Sequence, residues 1–570
     1  MSNSNSKHIM KLKIFSAFAL GLAMCMTSCK EDFLEVTPTD RVSDEAIVGD
    51  SVLFESFVIN RYLGARLQDK EADGAPPGFG RGWEYALWSS LTDESIYRSD
   101  DNTWLVQRGQ LAPENTGITG TLWGRSYRSI REVNYALANV DKVPMSQSHK
   151  NLLVAELKFI RAFRYHDLIR NYGKVVLVGD KVSQLGEDFT DPALFQRAPL
   201  QESIAYATAQ LDQAAAALPA ENSNSWQKGR ATKGAALALK SRLMLYAASP
   251  LYTQNGSTVT WPQAAQAAKD VMDLNLYTLD PQYANMFINE AGSSKEIIFA
   301  RYYNLNSRHT ALEIANGPNG YDGWGGNAPL QNLVDAYEMS NGKMISDPTS
   351  GYNPQNPYAD RDPRFYATIL YNGAQYRGRA VETFTPGGKD SKDGPSNWNT
   401  SQTGYYLRKF MDDTNPIQNP WNVAGRQPWI YFRIAEVLLN YAEAQNEAVG
   451  PDATVYSAIN MIRQRQAVNM PPLPAGLSQA EMRQRIRNER QVELAFEEHR
   501  FYDVRRWMIA EQTENTPAYG MEITRQGTNF VFNRKVALEG RSFQNKHYWL
   551  PIPRAEIQAS GNKLEQNPGY

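Results

Sequence analysis

Apolar residues recur three or four positions apart through most of residues 44–280, and this periodicity predicts amphipathic helices. Residues 150–172 are apolar on nearly every side, which is typical of a helix buried on several faces. Gly173, Pro219 and Pro250 follow predicted helices, and both residue types commonly end them. The predicted helices of this part span residues 44–67, 122–140, 150–172, 200–218, 232–248 and 261–274.

The same pattern returns towards the C-terminus. A four-residue break separates residues 431–448 from a second apolar stretch that includes Val455, which predicts a helical hairpin of tetratricopeptide size. Four such hairpins fit the chain, although the full repeat consensus is absent. A further helical block is predicted over 478–507, in which opposite charges three or four residues apart can pair as on an exposed helix. These predicted pairs are Arg485–Glu489, Arg490–Glu493 and Glu497–Arg500. Some charged residues of this block are also expected to link neighbouring helices, namely Arg487, Glu497, Asp503, Arg505 and Arg506.

A long segment between these helical parts has little helical period. Residues 281–427 are rich in glycine, proline, asparagine and aromatic residues, and stretches such as GPNGYDGWGGN are typical of turns. A long irregular segment that is rich in aromatic residues is more often functional than disordered. Short strands are predicted at 296–302 and 404–409, and the tail 547–570 is predicted to lie across the helices.

These patterns predict a mostly α protein with an irregular, loop-rich insertion that carries short strands. Its parts are an N-terminal helical region at 43–280, the insertion at 281–427, and a C-terminal helical region with the tail at 428–570. We expect residues 43–570 to form one structural unit, since they can share one core.

The first residues have the pattern of a secretory signal peptide. Lys11 and Lys13 precede an apolar run of roughly half the ~20 residues that a membrane-spanning helix needs, and small residues follow it. The sequence Met-Thr-Ser-Cys that ends at Cys29 resembles a bacterial lipobox, in which the cysteine is acylated and becomes the mature N-terminus. We therefore predict a signal peptide at 1–28, lipidation of Cys29, and a lipidated tether at 29–42.

Composition and motifs exclude several classes of function. The formal net charge of the 570 residues is −2, so no basic face or nucleic-acid partner is expected. HExxH, CxxC, GxSxG and phosphate-loop motifs are absent. A glycoside hydrolase would need two carboxylates on opposite sides of a sugar, and the adjacent pair Asp93-Glu94 is the only candidate in an aromatic-rich loop. The motifs thus favour a protein that is not an enzyme. No cofactor or metal is assigned: the spacing of Asp390, Asp393 and Asp412-Asp413 matches no calcium-binding loop, and calcium at these residues is left open.

Aromatic loops provide the candidate binding residues. Flat aromatic rings match the apolar C–H faces of sugars, while neighbouring asparagine and aspartate side chains can bind hydroxyl groups. Trp104 and Trp324 are the favoured candidates, although large aromatic residues in loops often serve only to pack the protein. One cluster holds Trp83, Tyr97, Asp101, Asn102 and Trp104; a second holds Tyr321, Asp322, Trp324 and Asn327; Trp398 lies in a further loop.

Several segments together resemble one known family. They are CKEDFLEVTPTD, LTDE, AELKFIRAFRYHDLIRNYG, RDPRFYATIL, YFRIAEVLLNYAEAQNE, IRNERQVELAFEEHRFYDVRRW, WLPIPRAEI and NPGY. In this order they resemble the SusD/RagB family of nutrient-binding outer-membrane lipoproteins. The resemblance implies four tetratricopeptide-like hairpins in a right-handed superhelix, with the ligand site on the insertion. It also implies a lid over a SusC-like TonB-dependent transporter barrel.

The function predicted from this resemblance is oligosaccharide capture at the outside of the outer membrane and delivery to the transporter. Peptide capture by the same lid mechanism, a purely structural lid and a glycoside hydrolase are the alternatives. The aromatic loops favour a glycan over a peptide.

Overall fold

The computed structural model describes residues 44–63, 87–100, 102–182, 187, 190–289, 291–303, 312–415 and 425–570. The predicted signal peptide, the tether with Cys29, and the candidates Trp83 and Asp101 lie outside these residues. The chain divides into a small compact unit, Met1–Glu55 with Lys142–Pro144, and a large one, Ser56–Asp141 with Met145–Tyr570. Within the described ranges, no helix combines the length and the apolarity that crossing a bilayer requires.

Helices form most of the regular structure. They are α1 Asp44–Gly49, α2 Ser51–Asn60, α3 Thr103–Gln107, α4 Leu122–Asn139, α5 Gln147–Tyr172, α6 Leu200–Ala217, α7 Lys233–Ala248, α8 Pro250–Gln254, α9 Trp261–Met272, α10 Tyr283–Ile288, α11 Leu312–Asn316, α12 Gln331–Ala336, α13 Pro363–Thr368, α14 Ile434–Val449, α15 Ala453–Arg463, α16 Gln479–Glu493, α17 Arg500–Arg506, α18 Ala510–Thr513 and α19 Arg554–Ala559.

Local capping explains where the main helices begin. The Ser146 hydroxyl accepts a hydrogen bond from the His149 backbone N–H at the start of α5, and Thr232 accepts one from Ala235 at the start of α7. Gly173 ends α5 at φ +72°, a backbone conformation that favours glycine. The helices predicted at 122–140, 150–172, 200–218, 232–248 and 261–274 are confirmed to within a few residues. The one predicted at 44–67 was wrong, because the chain there is divided at Asp50 into α1 and α2, and residues 64–67 lie outside the described ranges.

The long helices pack in chain order. α4 packs against α5, α5 against α6, α6 against α7, α7 against α9, and α9 against α14, which also contacts α15 and α16. Small residues such as Ala235, Ala236 and Ala238 are buried on α7 and allow close approach of its neighbours. The predicted mostly α, tetratricopeptide-like fold is confirmed.

The strands form antiparallel pairs. They are β1 Ser95–Tyr97, β2 Ile297–Arg301, β3 Asn327–Pro329, β4 Ile369–Leu370, β5 Gln375–Tyr376, β6 Arg379–Ala380, β7 Tyr406–Leu407, β8 Trp429–Arg433, β9 Ala518–Gln526 and β10 Asn529–Leu538. The pairs are β1–β3, β2–β8, β4–β7, β5–β6 and β9–β10.

Two predicted strands are present in shortened form as β2 and β7. The prediction that a helix begins at Tyr431 was wrong, because residues 429–433 pair with β2 and α14 begins only at Ile434. The β9–β10 hairpin was not predicted. The C-terminal tail does lie across a long helix, since Leu550 N–H donates to the Asn171 carbonyl at 2.8 Å.

The prediction for 478–507 was wrong about the single helix and about the pairs within it, whereas the expected links to neighbouring helices are confirmed, as by Arg506 with Glu443 of α14. The segment forms two helices, and Phe496 and Glu498 between them have positive φ values of 62° and 68°. The charged residues predicted to pair within the helix are largely buried and bind other elements instead. Glu489 binds Arg364 and Arg463, Arg485 binds Glu338, Arg490 binds Asp503, and Arg500 binds Asp93.

Glu493 is a central member of this buried charge network. Its carboxylate lies 2.9 Å from Arg364, 2.7 Å from Arg433 and 2.6 Å from Arg465, and each side chain is at most 1% exposed. Burial alone would raise the pKa of Glu493, but Arg465, Arg433 and Arg364 hold it well below the usual range for a carboxyl. Arg364 belongs to the insertion, so this carboxylate ties the insertion to α16.

We expect the substitution Glu493→Gln to destabilise the large unit by about 3–5 kcal/mol, because it leaves buried guanidinium groups without their counter-ion. Chemical denaturation monitored by circular dichroism measures the loss. Glu511→Gln, at an exposed position of α18, serves as the control and should change little. Equal unfolding midpoints for Glu493→Gln and the wild type would contradict the role of this network.

Candidate functional site

The two sequence clusters meet through a short pair of strands. β1 and β3 are antiparallel, with Tyr97 opposite Asn327 and Ser95 opposite Pro329. The Arg98 N–H extends this pairing by donating to the Gly326 carbonyl at 2.8 Å. The loop after β1 and the glycine-rich loop before β3 therefore lie side by side, although more than 200 residues separate them in the chain.

A third loop joins them. Gly325 has φ +61°, and a Cβ atom placed on it would lie 2.6 Å from the Asn399 carbonyl oxygen. Only glycine allows this close approach without displacing the neighbouring backbone. Residues 97–100, 102–104, 319–327 and 396–402 thus form one surface, which we call the loop face, and Trp398 belongs to it.

The loop face presents both aromatic and polar groups. The Trp398 side chain is 67% exposed, which is unusual for a residue of this size. Asn102 and Asp322 are exposed and have positive φ values of 60° and 65°, a conformation that asparagine and aspartate tolerate better than most residues. Trp324 is part-buried in the same surface.

Neighbouring groups hold two further rings of this surface in place. The Trp104 indole N–H donates to the Tyr97 carbonyl at 3.2 Å, and its backbone N–H donates to the Asp100 carboxylate at 2.8 Å. The Tyr321 hydroxyl donates to the Tyr376 carbonyl at 2.6 Å, and the Arg379 guanidinium lies 3.9 Å from the centre of its ring. Both rings are therefore oriented before any ligand arrives.

Two of the predicted candidates lie inside the loop face. Tyr97 is 6% and Asn327 is 3% exposed. The Asn327 side-chain oxygen accepts hydrogen bonds from the Leu87 backbone N–H and the Ser90 hydroxyl, and its amide N–H donates to Asn316. Asn327 holds the loops together from within. Ligand contacts by these candidate residues remain predictions.

The sequence did not reveal a cleft of about 660 Å³ in the large unit. Phe163 of α5, Tyr302 after β2 and Tyr431 of β8 form aromatic walls, and Arg301 is one of its basic lining residues. The described lining residues come from stretches between residues 56 and 431. No local motif could therefore have predicted the cleft. The only hint in the sequence of its basic wall is the pair of closely spaced cations in Lys228-Gly229-Arg230.

The carboxylates Asp93 and Glu94 do not face each other across an open site. Asp93 forms two hydrogen bonds with the Arg500 guanidinium, at 2.8 and 2.7 Å. Glu94 is 1% exposed, and its Oε2 atom has no hydrogen-bond partner among the residues that the structure describes. Burial raises the pKa of Glu94 to about 8, so this side chain is mostly neutral at pH 7.

Comparison with known proteins gives the family. A model of the SusD family matches residues 287–570, and a SusD-like model described as starch-binding and associating with the outer membrane matches residues 32–245. The chain belongs to the SusD/RagB family. The two matched regions together span most of the chain, which confirms the resemblance seen in the sequence motifs.

Solved structures of SusD-like proteins have the same fold. A SusD-like protein from Bacteroides fragilis is 29% identical, with a TM-score of 0.76 over 94% of this chain and 100% of that chain. A SusD-like carbohydrate binding protein from the same species is 26% identical, with a TM-score of 0.75 over 91% of this chain and 99% of that chain. SusD-like protein P2 of Formosa agariphila is 25% identical over 85% of this chain and 90% of its own length.

We expect Glu94 to make stability decrease with rising pH. The native state keeps its proton until about pH 8, whereas the unfolded chain releases it near pH 4.5. The native state therefore binds more protons between these values, so the free energy of unfolding falls as pH rises through this window. Urea unfolding of Glu94→Gln between pH 5 and 8 should show a smaller fall than the wild type. Parallel curves for the two proteins would refute a neutral buried Glu94.

Proposed function

We propose that this SusD/RagB family protein is a cell-surface lipoprotein that binds oligosaccharides and delivers them to a SusC-like TonB-dependent outer-membrane transporter. The observation that carries glycan binding is the convergence of three aromatic loops on one face, with Trp398 exposed at its surface. The similar carbohydrate binding protein from Bacteroides fragilis supports the same assignment.

The physical argument concerns the state of the rings before binding. Trp104 and Tyr321 are already oriented by hydrogen bonds and packing, so little binding free energy is lost in ordering these rings when a sugar stacks on them. Trp398 loses exposed apolar surface when a ligand covers it. Asn102 and Asp322 provide polar groups beside the rings for binding sugar hydroxyls.

The proposed location follows from the lipobox and from the family. Lipidation of Cys29 would place the protein on the membrane, and the acidic pair Glu31-Asp32 after it fits export to the outer face. The family model described as associating with the outer membrane supports this location. A lid position over the transporter would bring a captured glycan to the entrance of the barrel.

The substitution Trp398→Ala tests the loop face with little risk to folding, because the side chain is mostly exposed. Calorimetry is performed with the oligosaccharide that binds most tightly in a glycan array. We expect about three- to tenfold weaker binding for Trp398→Ala, the value of one stacking contact. Trp324→Ala and Trp104→Ala should weaken binding in the same way.

The matched control is Trp261→Ala, a part-buried tryptophan at the start of α9 and away from the three loops. It should bind the glycan as the wild type does. Wild-type affinity in all three loop variants, with unchanged melting temperatures, would show that the loop face is not the glycan site.

The tether has its own test. We expect Cys29→Ser to abolish incorporation of a radiolabelled fatty acid and to move the protein from the membrane fraction to the soluble fraction, because the acylated atom is removed. Cys25→Ser provides the control, since Cys25 lies within the predicted signal peptide. Retention of label by Cys29→Ser would refute the lipidation site.

A further inference from the structure

The cleft of about 660 Å³ in the large unit has a marked imbalance of charge. Of the described residues that line it, four are basic, Arg164, Lys228, Arg230 and Arg301, and none is acidic. Aromatic residues supply much of the remaining wall. A cleft that joins flat rings with several cations matches a ligand that is both ring-shaped and negatively charged.

Carboxylates behind the cleft pair with two of these cations. Glu156 binds Arg230 at 2.5 and 2.9 Å, and both side chains are at most 4% exposed. Asp167 lies 3.7 Å from Arg164 but is closer to Arg170, at 2.6 Å. Burial lowers the pKa of the Arg164 side chain, and the nearby Asp167 opposes this shift only in part.

Arg301 lines the cleft and carries a donor that no described residue accepts from. Its guanidinium lies 4.8 Å from the centre of the Tyr303 ring, which fixes the plane of the group. Its Nη1 atom is buried and donates no hydrogen bond to any residue in the described part of the chain. A buried donor without a partner is costly, and an anionic ligand in the cleft would satisfy it.

Tyr302 supplies a ring surface beside these cations. The Lys228 ammonium lies 4.7 Å from the centre of its ring and also donates to the carbonyls of Ala291 and Gly292. A Cβ atom on Gly292 would collide with the edge of the same ring, so the glycine leaves the room that the ring occupies. The Tyr302 ring is therefore held in position at the wall of the cleft.

From this geometry we propose that the cleft is a second saccharide site, distinct from the loop face, and that it selects sugars with a carboxylate or a sulfate group. Tyr302 stacks on the sugar ring and Arg301 binds the anionic group through its unpartnered donor. This inference rests on the proposed function, since it names the chemical class of glycan that the protein captures.

Calorimetry on the full mature protein uses four probes. They are a tetragalacturonate, its methyl ester, a sulfated carrageenan tetrasaccharide and its desulfated form, so that the carboxylate and sulfate sources are tested separately. We expect at least one acidic probe to bind about tenfold or more tightly than its neutral counterpart, which is the scale of one charge-assisted hydrogen bond. The affinity of that probe should also fall with added salt.

Variants assign the effect to the cleft. Arg301→Gln should remove most of the preference for the acidic probe, Arg301→Lys should retain part of it, and Tyr302→Ala should weaken both members of a pair. Arg131→Gln, at an exposed position of α4 that does not line the cleft, should behave as the wild type. Trp398→Ala should leave the preference for acidic probes unchanged.

The outcomes separate this inference from the proposed function. If glycans bind through the loop face but neither acidic probe is preferred, or if Arg301→Gln keeps the preference, the cleft assignment is overturned and glycan capture stands. If a hexa-aspartate peptide competes as well as the acidic glycan, the site recognises charge alone and the saccharide assignment is overturned. If no glycan binds at either site, both proposals fail.

Discussion

Buried pairs of arginine and glutamate between the insertion and the C-terminal helices are the interaction on which the rest of the structure depends. Arg433 shows the principle: its guanidinium binds Glu296, Glu493 and Glu497, each at 2.7 Å, and it also donates to the Glu493 carbonyl. Desolvation offsets much of the Coulomb energy of such pairs, so they contribute little net stability compared with an apolar core. Their effect is on position, because any other placement of the insertion would leave a charge buried without a partner.

Buried ion pairs also fix the loops of the insertion. Arg364 and Glu338 of the insertion are bound by Glu489, Arg463 and other buried groups, and Lys409 is bound by Glu497 at 2.7 Å. Within the insertion, Arg379 joins Asp390 and covers the Tyr321 ring. Buried ion pairs thus hold the described part of this segment, which has little regular secondary structure, and the loops at its surface can present aromatic rings in fixed orientations.

Helices were predictable from sequence because their signals are local. Ser146 and Thr232 act as caps through hydrogen bonds to residues three positions away, and Gly173 ends α5 through its own backbone conformation. The partners of the buried charges were not predictable. Glu489 and Glu493 have neighbours of opposite charge on their own helix, but they bind arginines that are distant in sequence. The start of α14 was misplaced for a similar reason, because pairing with the distant strand β2 overrides the local helical pattern at Tyr431.

In the candidate site, too, some features follow from local sequence and others depend on contacts between distant residues. Aromatic loops could be chosen by composition, but their meeting depends on the pairing of β1 with β3, which links short segments of no distinctive pattern. The cleft depends still more on the fold, since Phe163, Arg301 and Tyr431 come from three separate elements. The two surfaces also differ in chemistry: the loop face combines Trp398 with neutral and acidic polar groups, whereas the described lining of the cleft combines rings with four basic side chains. A glycan with few charged sugars would therefore favour the first surface and a heavily charged one the second, so the charge density of the glycan would decide which surface engages it.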